Sequence, residues 1–332
     1  MISYLDLRPM NDALTAHIST AVADCMSRSS YLRGPQTQAF EEEWAEFCGQ
    51  KFAVACNSGT DALTIAARAL QLQSAQVQAN TLPLTAIGLA LGGAKVEICE
   101  IDGDGRIADD LADCIPVLLF GRVPLPNARS APLYDAAHAH GWKPPEKSSA
   151  AWSFYPTKSL GALGDAGAIT TNDPALAETM LEICGRDDQM RHFQQITSRI
   201  DEIQAAILRI KLKHLPLWLE QRKIIGELYN SRLFQLGITL QGDSYHHIYA
   251  IRSEGREALR EHLLTHNIET KIHWEQSLNQ VAGPWTTSGD YPLAEKWASQ
   301  ILSLPIYPGL SLKDVAYICD VIERYFETAK VF

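Results

Sequence analysis

A lysine lies within a glycine-rich, largely apolar segment of the chain, SFYPTKSLGALGDAGAI, at residues 153–169. Lysine is strongly hydrated and is seldom found in such surroundings without a chemical reason. Burial lowers the pKa of a lysine amine, so Lys158 could act as a nucleophile and then as a proton carrier. Ser153, at the start of the segment, could reach a phosphate oxygen. The alternative is a loop lysine that packs its stem on apolar surface and keeps its amine in water.

A carboxylate follows a second apolar run, in LYDAAHAHG at residues 133–141. Asp135 is predicted at the carboxyl end of a strand, where open α/β sheets bind their ligands. A buried carboxylate needs a cationic or hydrogen-bond-donating partner, and a protonated pyridine nitrogen would serve. His138 and His140 are two positions apart, which is not the spacing of a helical metal pair, so no metal site is expected. The alternative for each histidine is a hydrogen-bonded loop residue, and for His140 this alternative is favoured.

The third motif is the turn NSGTDAL at residues 57–63. A strand, a turn of small residues and a helix form a cradle for phosphate, because free N–H groups at the helix start point at the anion. Gly59 lets the backbone approach closely, Thr60 adds a hydroxyl, and Ser58 belongs to the same turn. Taken alone, the turn also fits ordinary helix capping. Together, the phosphate cradle, the carboxylate for a ring nitrogen and the amine for an aldehyde indicate pyridoxal phosphate.

Short β-rich runs that alternate with helical stretches must position these groups. Strands are predicted at 52–56, 92–102, 116–120, 131–137, 151–155 and 166–172. Apolar strands interleaved with helices predict an α/β fold with a mainly parallel sheet covered on both faces.

The pattern changes near residue 200. An amphipathic helix is predicted at 201–215, interrupted by Pro216, and a second helical stretch runs to Gly237. Further elements are a strand at HHIYAIR, a helix at REALREHLLTHN, a strand at 268–274 and a final helix from Asp314. We expect a large domain at 1–216 and a smaller C-terminal α+β domain at 217–332.

The formal net charge of -10 argues against a general nucleic-acid or anionic-membrane surface. The chain shows no apolar run of membrane-spanning length and no signal peptide. Its seven scattered cysteines form no CxxC pair and fit free thiols in a reducing compartment. The sequence therefore predicts a cytoplasmic protein.

The chain resembles the DegT/DnrJ/EryC1/StrS family, the nucleotide-sugar aminotransferases of fold type I. The resemblance runs over nearly the whole chain and is most specific in the lysine segment and in SRIDEIQAAIL. Other matching motifs are YLDL, YLRGPQTQAFEEEWAEFCG, CNSGTDAL, YDAAHAHG and LSLPIYPG.

The resemblance implies a role for each matching position. Lys158 matches the lysine that binds pyridoxal phosphate as a Schiff base, and Asp135 matches the partner of the pyridine nitrogen. His138 stands where members carry Gln or His beside the cofactor. The implied phosphate contacts are Ser58, Gly59, Thr60 and Ser153, with Thr197 as a further cofactor contact; the implied substrate contacts are Tyr155, Arg199 and His273.

Active sites in this family are built at a dimer interface, so the resemblance implies a homodimer in which Arg199 is offered to the neighbouring subunit. Thr197 stands where members usually carry an asparagine that reaches the partner's cofactor phosphate. The loop NTLPLTAIG at 80–88 lacks the aromatic residue that many members place near the cofactor ring. The connection between VLLFG and PLYD is short, as is the segment after Gly141, so we expect a shortened member.

The implied reaction takes an amino group from glutamate, with pyridoxamine phosphate as the intermediate form of the cofactor. The stretch IETKIHWEQSLNQ at 268–280 is most similar to members that act on dTDP-linked 3-keto-6-deoxyhexoses. His273 and Trp274 lie where such members line the sugar pocket, although a structural strand end would explain them equally well. The alternatives are a member that acts at C4 and a non-catalytic regulatory or scaffolding relative. Dehydratases of the family replace the lysine with histidine, and Lys158 argues against that activity.

Overall fold

A computed structural model describes residues 1–107, 113–125, 128, 130–185, 195–240 and 244–329. The helices are α1 (Arg8–Asp12), α2 (Thr15–Ser27), α3 (Pro35–Cys48), α4 (Gly59–Ala69), α5 (Pro83–Leu91), α6 (Pro174–Ile183), α7 (Glu202–Leu212), α8 (Leu215–Leu233), α9 (Arg256–Thr265), α10 (Pro292–Gln300) and α11 (Leu312–Ala329). The strands are β1 (Phe52–Cys56), β2 (Ser74–Gln78), β3 (Lys95–Cys99), β4 (Leu133–Asp135), β5 (Ser149–Ser153), β6 (Gly167–Thr171), β7 (Tyr249–Arg252), β8 (Trp285–Thr287) and β9 (Ile301–Leu304). Within these ranges, no helix has the length and apolarity needed to cross a membrane.

The strands nearest the predicted site form a sheet in the order β1-β6-β5-β4. Strand β6 runs antiparallel to both of its neighbours, whereas β4 and β5 pair in parallel. Strands β1, β4 and β5 therefore run in the same direction, and their carboxyl ends meet at one edge. A second sheet, β2-β3-β8, is parallel throughout. The α/β fold with a mainly parallel sheet, predicted from the sequence, is confirmed.

The prediction of a strand at 116–120 is wrong, because the segment forms no regular strand. This part of the chain makes only isolated parallel bridges, one between β2 and Cys114 and one between β4 and Val117. Leu119–Gly121 then turns into a 3-10 helix. Pro116 has no N–H to donate to a ladder, and an apolar run does not reveal that loss. The segment nevertheless lies between the two sheets and links them.

Both faces of the central sheet are buried. Neighbouring residues of one strand belong to different hydrophobic clusters, as with Val54 and Ala55 in β1 and with Ala151 and Ala150 in β5. Successive side chains of a strand point to opposite faces, so each cluster covers one face. Helices α4 and α5 contribute to the first cluster, and α3 and α7 contribute to the second. This packing explains why apolar residues occupy both faces of these strands.

Glu202, the second of two acidic residues in the SRIDEIQAAIL motif, links α7 to the start of α3. Its side chain is 1% exposed and accepts N–H groups of Gly34, Gln36 and Thr37 at 2.8–3.0 Å, as well as the Thr37 hydroxyl. The first N–H groups of a helix have no partner within it, so this carboxylate satisfies them from across the fold. A Cβ on Gly34 would lie 2.5 Å from Glu202 Oε2, which explains the glycine there.

The last third of the chain departs from the prediction at two points. The helix predicted at 201–215 ends at Leu212, and Pro216 lies in the first turn of α8, where its missing N–H costs nothing. The strand predicted at 268–274 is wrong, because Ile268 bridges to the N-terminal segment and Lys271 bridges to β9. Because these two residues pair with different segments, the stretch does not form a continuous ladder with any one strand.

A third hydrophobic cluster is built mainly from residues between Ile225 and Ile322. Strands β7 and β9 form a two-stranded sheet there, whereas β8 pairs with β3 of the second sheet. The predicted division into 1–216 and 217–332 stays a prediction. The third cluster supports this division, whereas β8 does not, because it belongs to the second part and pairs with β3 of the first.

Replacing Glu202 with glutamine should lower the free energy of unfolding by about 1–3 kcal/mol, because charge-assisted hydrogen bonds to buried donors are lost. The variant Glu46→Gln removes a charge from an exposed position of α3, the helix whose start Glu202 contacts, and is the matched control. Thermal unfolding of both variants checks this. Equal melting temperatures for the two would contradict the role of Glu202.

Candidate active site

A cavity of about 460 Å³ opens at the edge of the sheet where β1, β4 and β5 end. Its volume lies within the range of small-molecule sites. Nine predicted site residues line it: Ser58, Gly59, Thr60, Asp135, His138, Ser153, Tyr155, Lys158 and His273. The fold therefore brings the three local motifs into one cavity.

Lys158 lies in the loop between β5 and β6, and His140 holds this loop in place through two hydrogen bonds. The Leu160 N–H donates to His140 Nδ1 at 3.0 Å, and His140 Nε2 lies 3.0 Å from the Ser153 carbonyl oxygen. Because Nδ1 accepts, Nε2 carries the ring proton and donates to that carbonyl. Burial lowers the pKa of His140 to about 3, so the ring stays neutral. His140 is thus the hydrogen-bonded loop residue that the sequence favoured.

Aromatic packing and a buried cation hold the same loop. Phe154 packs edge-on against Trp44 of α3, with ring centroids 5.0 Å apart. Lys211 of α7 is 4% exposed and donates from Nζ to the Gly161 carbonyl at 2.7 Å. A Cβ on Gly161 would lie 2.3 Å from the Pro156 carbonyl oxygen, so the loop closes on itself only with glycine. These contacts fix the backbone that carries the catalytic lysine candidate.

The Lys158 amine has a lowered affinity for its proton. Burial lowers its pKa from 10.5 to about 8, and the negative charge of Asp135 offsets part of this effect. Near neutral pH a fraction of the amine is therefore unprotonated and can attack a carbonyl carbon. The same pKa lets the amine pick up and return a proton in that pH range.

Asp135 ends β4 and is buried. Its carboxylate accepts the Thr85 hydroxyl at 2.7 Å and the Ala137 N–H at 3.1 Å. Burial raises the pKa of Asp135, while these two donors and the Lys158 charge lower it. A buried carboxylate that lines a cavity gains from a cationic partner there, and a protonated ring nitrogen has that chemistry.

His138 shares a wall of the cavity with two further rings. The Phe120 N–H donates to His138 Nδ1 at 3.2 Å, so the neutral ring carries its proton on Nε2. Burial holds the pKa of His138 well below its usual range. The ring lies 4.6 Å from that of His247 and stacks at 6.4 Å with that of Trp274. This wall offers flat surfaces to a bound ring.

The turn before α4 has the geometry of an anion cradle. Ser58 caps the helix, since its Oγ accepts the Asp61 N–H at 3.1 Å. The N–H groups of the first helical turn, at Gly59 and Thr60, lie beyond the reach of the helix's own hydrogen bonds. A Cβ on Gly59 would lie 2.7 Å from Ser153 Cβ, so glycine lets β5 approach the turn. The turn that caps α4 therefore also has free N–H groups that could bind an anion.

These groups fit pyridoxal phosphate. The buried Asp135 carboxylate could pair with a protonated ring nitrogen. The Lys158 amine could react with an aldehyde, and the N–H groups of the α4 turn could bind a phosphate. All three line the same cavity.

Thr197 and Arg199 do not line this cavity. Between them, the Ser198 hydroxyl donates to Asp61 at 2.6 Å and accepts the Asn57 N–H at 3.1 Å. Ser198 is buried, whereas Thr197 is exposed and Arg199 is half-buried. Their expected cofactor and substrate contacts are thus not made within the cavity of the same chain.

The cavity also contains residues that the sequence did not indicate, above all Thr85 and His247. Thr85 lies in α5, so the loop expected at 80–88 is largely helical, and that segment was singled out only for lacking an aromatic residue. His247 precedes β7, whereas ligands are expected at the carboxyl ends of strands.

Residues 12–109 and 131–323 match the model of the DegT/DnrJ/EryC1/StrS aminotransferase family. The chain is 33% identical to a Streptomyces venezuelae protein named dTDP-3-amino-3,4,6-trideoxy-alpha-D-glucose transaminase, with 98% of this chain and 96% of that protein covered. It is 32% identical to the erythromycin biosynthesis sensory transduction protein EryC1 of Saccharopolyspora erythraea, with 93% and 95% covered. The chain is similar in length to these relatives, so the expectation of a shortened member is not confirmed.

The fold is similar to that of a crystal structure of S. venezuelae DesV in complex with a ketimine intermediate. The TM-score is 0.90 at 31% identity, and 98% of each chain is covered.

The depressed pKa of Lys158 should be visible in cofactor uptake. We expect the rate of covalent attachment of pyridoxal phosphate to the apoprotein to rise with pH and to level off above a midpoint near 8, where the amine loses its proton. Stopped-flow absorbance checks this. A rate that keeps rising toward the ordinary lysine value of 10.5 would contradict the burial effect.

Replacing Thr85 with valine should raise the pKa of Asp135 further and weaken its pairing with a ring nitrogen. Loss of one hydrogen bond to a charged group predicts a Kd for pyridoxal phosphate about 10-fold higher. Titration of the apoprotein measures this, with Thr179→Val, at a half-buried position of α6 outside the cavity, as control. An unchanged Kd in the Thr85 variant would remove Thr85 from the site.

Proposed function

The chain belongs to the DegT/DnrJ/EryC1/StrS aminotransferase family, which depends on pyridoxal phosphate, and from this premise we propose that it moves an amino group from glutamate to a nucleotide-linked keto-deoxyhexose. The proposed acceptor is a dTDP-linked 3-keto-6-deoxyhexose. The observation that carries the proposal is that Lys158, Asp135 and the α4 turn line one cavity.

When bound, pyridoxal phosphate supplies an aldehyde that takes up the amino group and a ring that stabilises negative charge on the adjacent carbon. The N–H groups of Gly59 and Thr60 and the Ser153 hydroxyl would hold the phosphate. The Asp135 carboxylate would pair with the ring nitrogen and favour its protonated form, since a buried carboxylate is costly without a cationic partner. His138 would limit the movement of the ring from its side of the cavity.

Lys158 is the proton carrier of the proposed reaction. In the first half, its Nζ takes the proton from the Cα of glutamate. In the second half, it delivers a proton to the sugar carbon that receives the amine. A pKa of about 8 suits both directions near neutral pH. Acid–base catalysis of this kind contributes roughly 10²–10⁴ in rate.

The walls of the cavity support a deoxyhexose as acceptor. The apolar side chains that line it are Leu63, Leu82, Leu84, Val117, Leu119, Ile248 and Trp274. A methyl group in place of a hydroxymethyl group gains from contact with such surfaces. The name of the S. venezuelae relative supports the dTDP carrier and amination at C3.

A homodimer in the cytoplasm is also part of the proposal. Ser198 faces the α4 turn of its own chain, and Thr197 and Arg199 flank it next to the phosphate cradle. Residues so placed are in a position to complete a neighbouring cavity, as the family resemblance implies. The shorter Thr197 side chain would then offer a hydroxyl to the partner's cofactor phosphate.

Two other functions have support. Amination at C4 would use the same cofactor machinery, and the cavity lining does not separate the two positions. A regulatory role is favoured by one observation, the name of the S. erythraea relative as a sensory transduction protein.

A screen of acceptors separates these functions. The enzyme is first loaded with glutamate, and dTDP-linked 3-keto- and 4-keto-6-deoxyhexoses are then added while amino-sugar formation is followed by mass spectrometry. We expect amination of the 3-keto sugar. Amination of the 4-keto sugar alone would favour the C4 alternative, and a colourless protein that aminates neither sugar would favour the regulatory one.

The variant Lys158→Ala is the control for the chemistry. It should lose the visible absorbance of the lysine-linked cofactor and at least about 10²–10⁴ in kcat. The variant Lys147→Ala, at an exposed position, should keep both. Full activity in Lys158→Ala would overturn the proposed role of the amine.

A further inference from the structure

His247 is a buried imidazole that lines the cavity just before β7. It is 8% exposed. Its backbone is held at two points, because the His247 N–H donates to the Phe120 carbonyl at 3.0 Å and its own carbonyl accepts from Arg222 Nη1 at 3.0 Å. The ring is therefore presented to the cavity by a fixed backbone.

A donor and an acceptor of different charge must use the same cavity. Glutamate carries two carboxylates, whereas the ring of a keto-deoxyhexose is uncharged. Among the described residues that line the cavity, Lys158 is the one lysine and there is no arginine. A fixed cation that faced the donor would be left buried and unpaired when the sugar enters, which is unfavourable. A side chain that becomes charged only with the donor avoids this penalty.

Three imidazoles line the cavity, and the partner of each Nδ1 decides which ring can change its charge. The Phe120 N–H donates to His138 Nδ1 at 3.2 Å. A backbone N–H only donates, so it opposes a second proton on that ring. His247 Nδ1 instead lies 3.5 Å from the Ser159 hydroxyl, which can turn from donor to acceptor. The contact is long for a neutral pair, and a charged imidazole would shorten it.

The same hydroxyl places His247 beside the lysine loop. Ser159 directly follows Lys158 in the chain and is 3% exposed. The α-carboxylate of the donor is bonded to the carbon whose proton Lys158 takes, so it must lie close to that loop. The third ring, His273, also has a hydroxyl partner at 2.8 Å, but that hydroxyl belongs to Ser303 of β9. His247 is therefore the imidazole best placed for the donor.

Charged and titratable groups surround His247 on several elements. They are His138 and His140 after β4, Lys158 after β5, Arg222 of α8, the neighbouring His246 and, in the same cavity, Asp135, Tyr155, Asp165 and His273. Burial has the largest effect, and His138 and Lys158 add to it, so the pKa of His247 is held well below its usual range. A carboxylate beside the ring opposes these effects, because an opposite charge favours the protonated form.

We propose that His247 binds a carboxylate of the amino donor as an imidazolium. The ring takes up one proton from solvent as the donor enters, and it returns that proton to solvent when the keto acid leaves, before the sugar enters. Ser159 is the positioning residue, since its hydroxyl accepts the Nδ1–H of the charged ring. This inference rests on the proposed function for the identity of the donor, and it deepens that function by explaining how one cavity accepts two substrates of unlike charge.

Proton uptake is measured with glutarate, which has the carbon skeleton and both carboxylates of the donor but no amine to react with the cofactor. Calorimetric titration of the holoenzyme in buffers of different ionisation enthalpy counts the protons that are bound. The visible absorbance of the lysine-linked cofactor reports its own protonation, and that contribution is subtracted. We expect uptake approaching about one proton per site.

The pH dependence of binding gives the same quantity independently. The complex holds a proton that free His247 lacks, so the affinity for glutarate falls as the pH rises. Between the low pKa of free His247 and the higher pKa of the complex, the Kd should increase about 10-fold per pH unit. Fluorescence or absorbance titration of the holoenzyme measures it.

The variant His247→Gln keeps a hydrogen-bonding side chain that cannot become charged. Its proton uptake beyond the cofactor contribution should vanish, and at about pH 6 its Kd for glutarate should be about 10-fold higher. Ser159→Ala should raise the Kd about 3- to 10-fold, and Ser159→Thr, which restores the hydroxyl, should recover it. The matched controls are His17→Gln, at an exposed position, and Ser148→Ala, at a buried hydroxyl outside the cavity. Both should keep the native uptake.

Native holoenzyme that binds no glutarate, or binds it without proton uptake, would overturn the inference. So would uptake that survives in His247→Gln and is lost in His273→Gln. If His247→Gln does not fold, an unchanged Kd in Ser159→Ala has the same meaning. An enzyme that takes up the proton through His247 but aminates no keto sugar would count against the proposed function and would leave the carboxylate site supported.

Discussion

Burial of the Lys158 amine is the constraint on which the rest of the site depends. In water the amine would stay protonated at neutral pH, and burial is what brings its pKa down to about 8. The chain keeps the amine buried by anchoring its loop to His140, to Lys211 and to the aromatic cluster around Phe154. Asp135 supplies the opposite charge within the same cavity and raises the pKa of the amine. The amine can therefore accept a proton as well as release one.

The direction of the strands places the three motifs together. Because β1 and β5 are both antiparallel to β6 and β4 is parallel to β5, the turn after β1, the carboxylate ending β4 and the loop after β5 share one edge. Open α/β sheets bind their ligands at such edges. Glycines at Gly59 and Gly161 let the backbone close up where a Cβ would collide. The reactive side chains therefore lie at the edge of the sheet where its strand order favours ligand binding.

Local motifs made much of this site predictable. Each of the three motifs lies beside a strand end and can be recognised from a few consecutive residues around Lys158, Asp135 or Gly59. Thr85 could not be predicted, since its partner Asp135 is 50 positions away and only the fold brings them together. Two segments, at 116–120 and 268–274, are predicted as strands but form none, because strand formation depends on a continuous partner and not on composition alone.

Covalent attachment of the cofactor to the Lys158 amine can be located directly on the chain. The purified holoenzyme is reduced with borohydride, digested with a protease and analysed by mass spectrometry. We expect a phosphopyridoxyl group on the peptide that contains Lys158. Modification at Lys211, a buried lysine outside the cavity, or the absence of a modified peptide from a coloured enzyme, would contradict the assignment of Lys158.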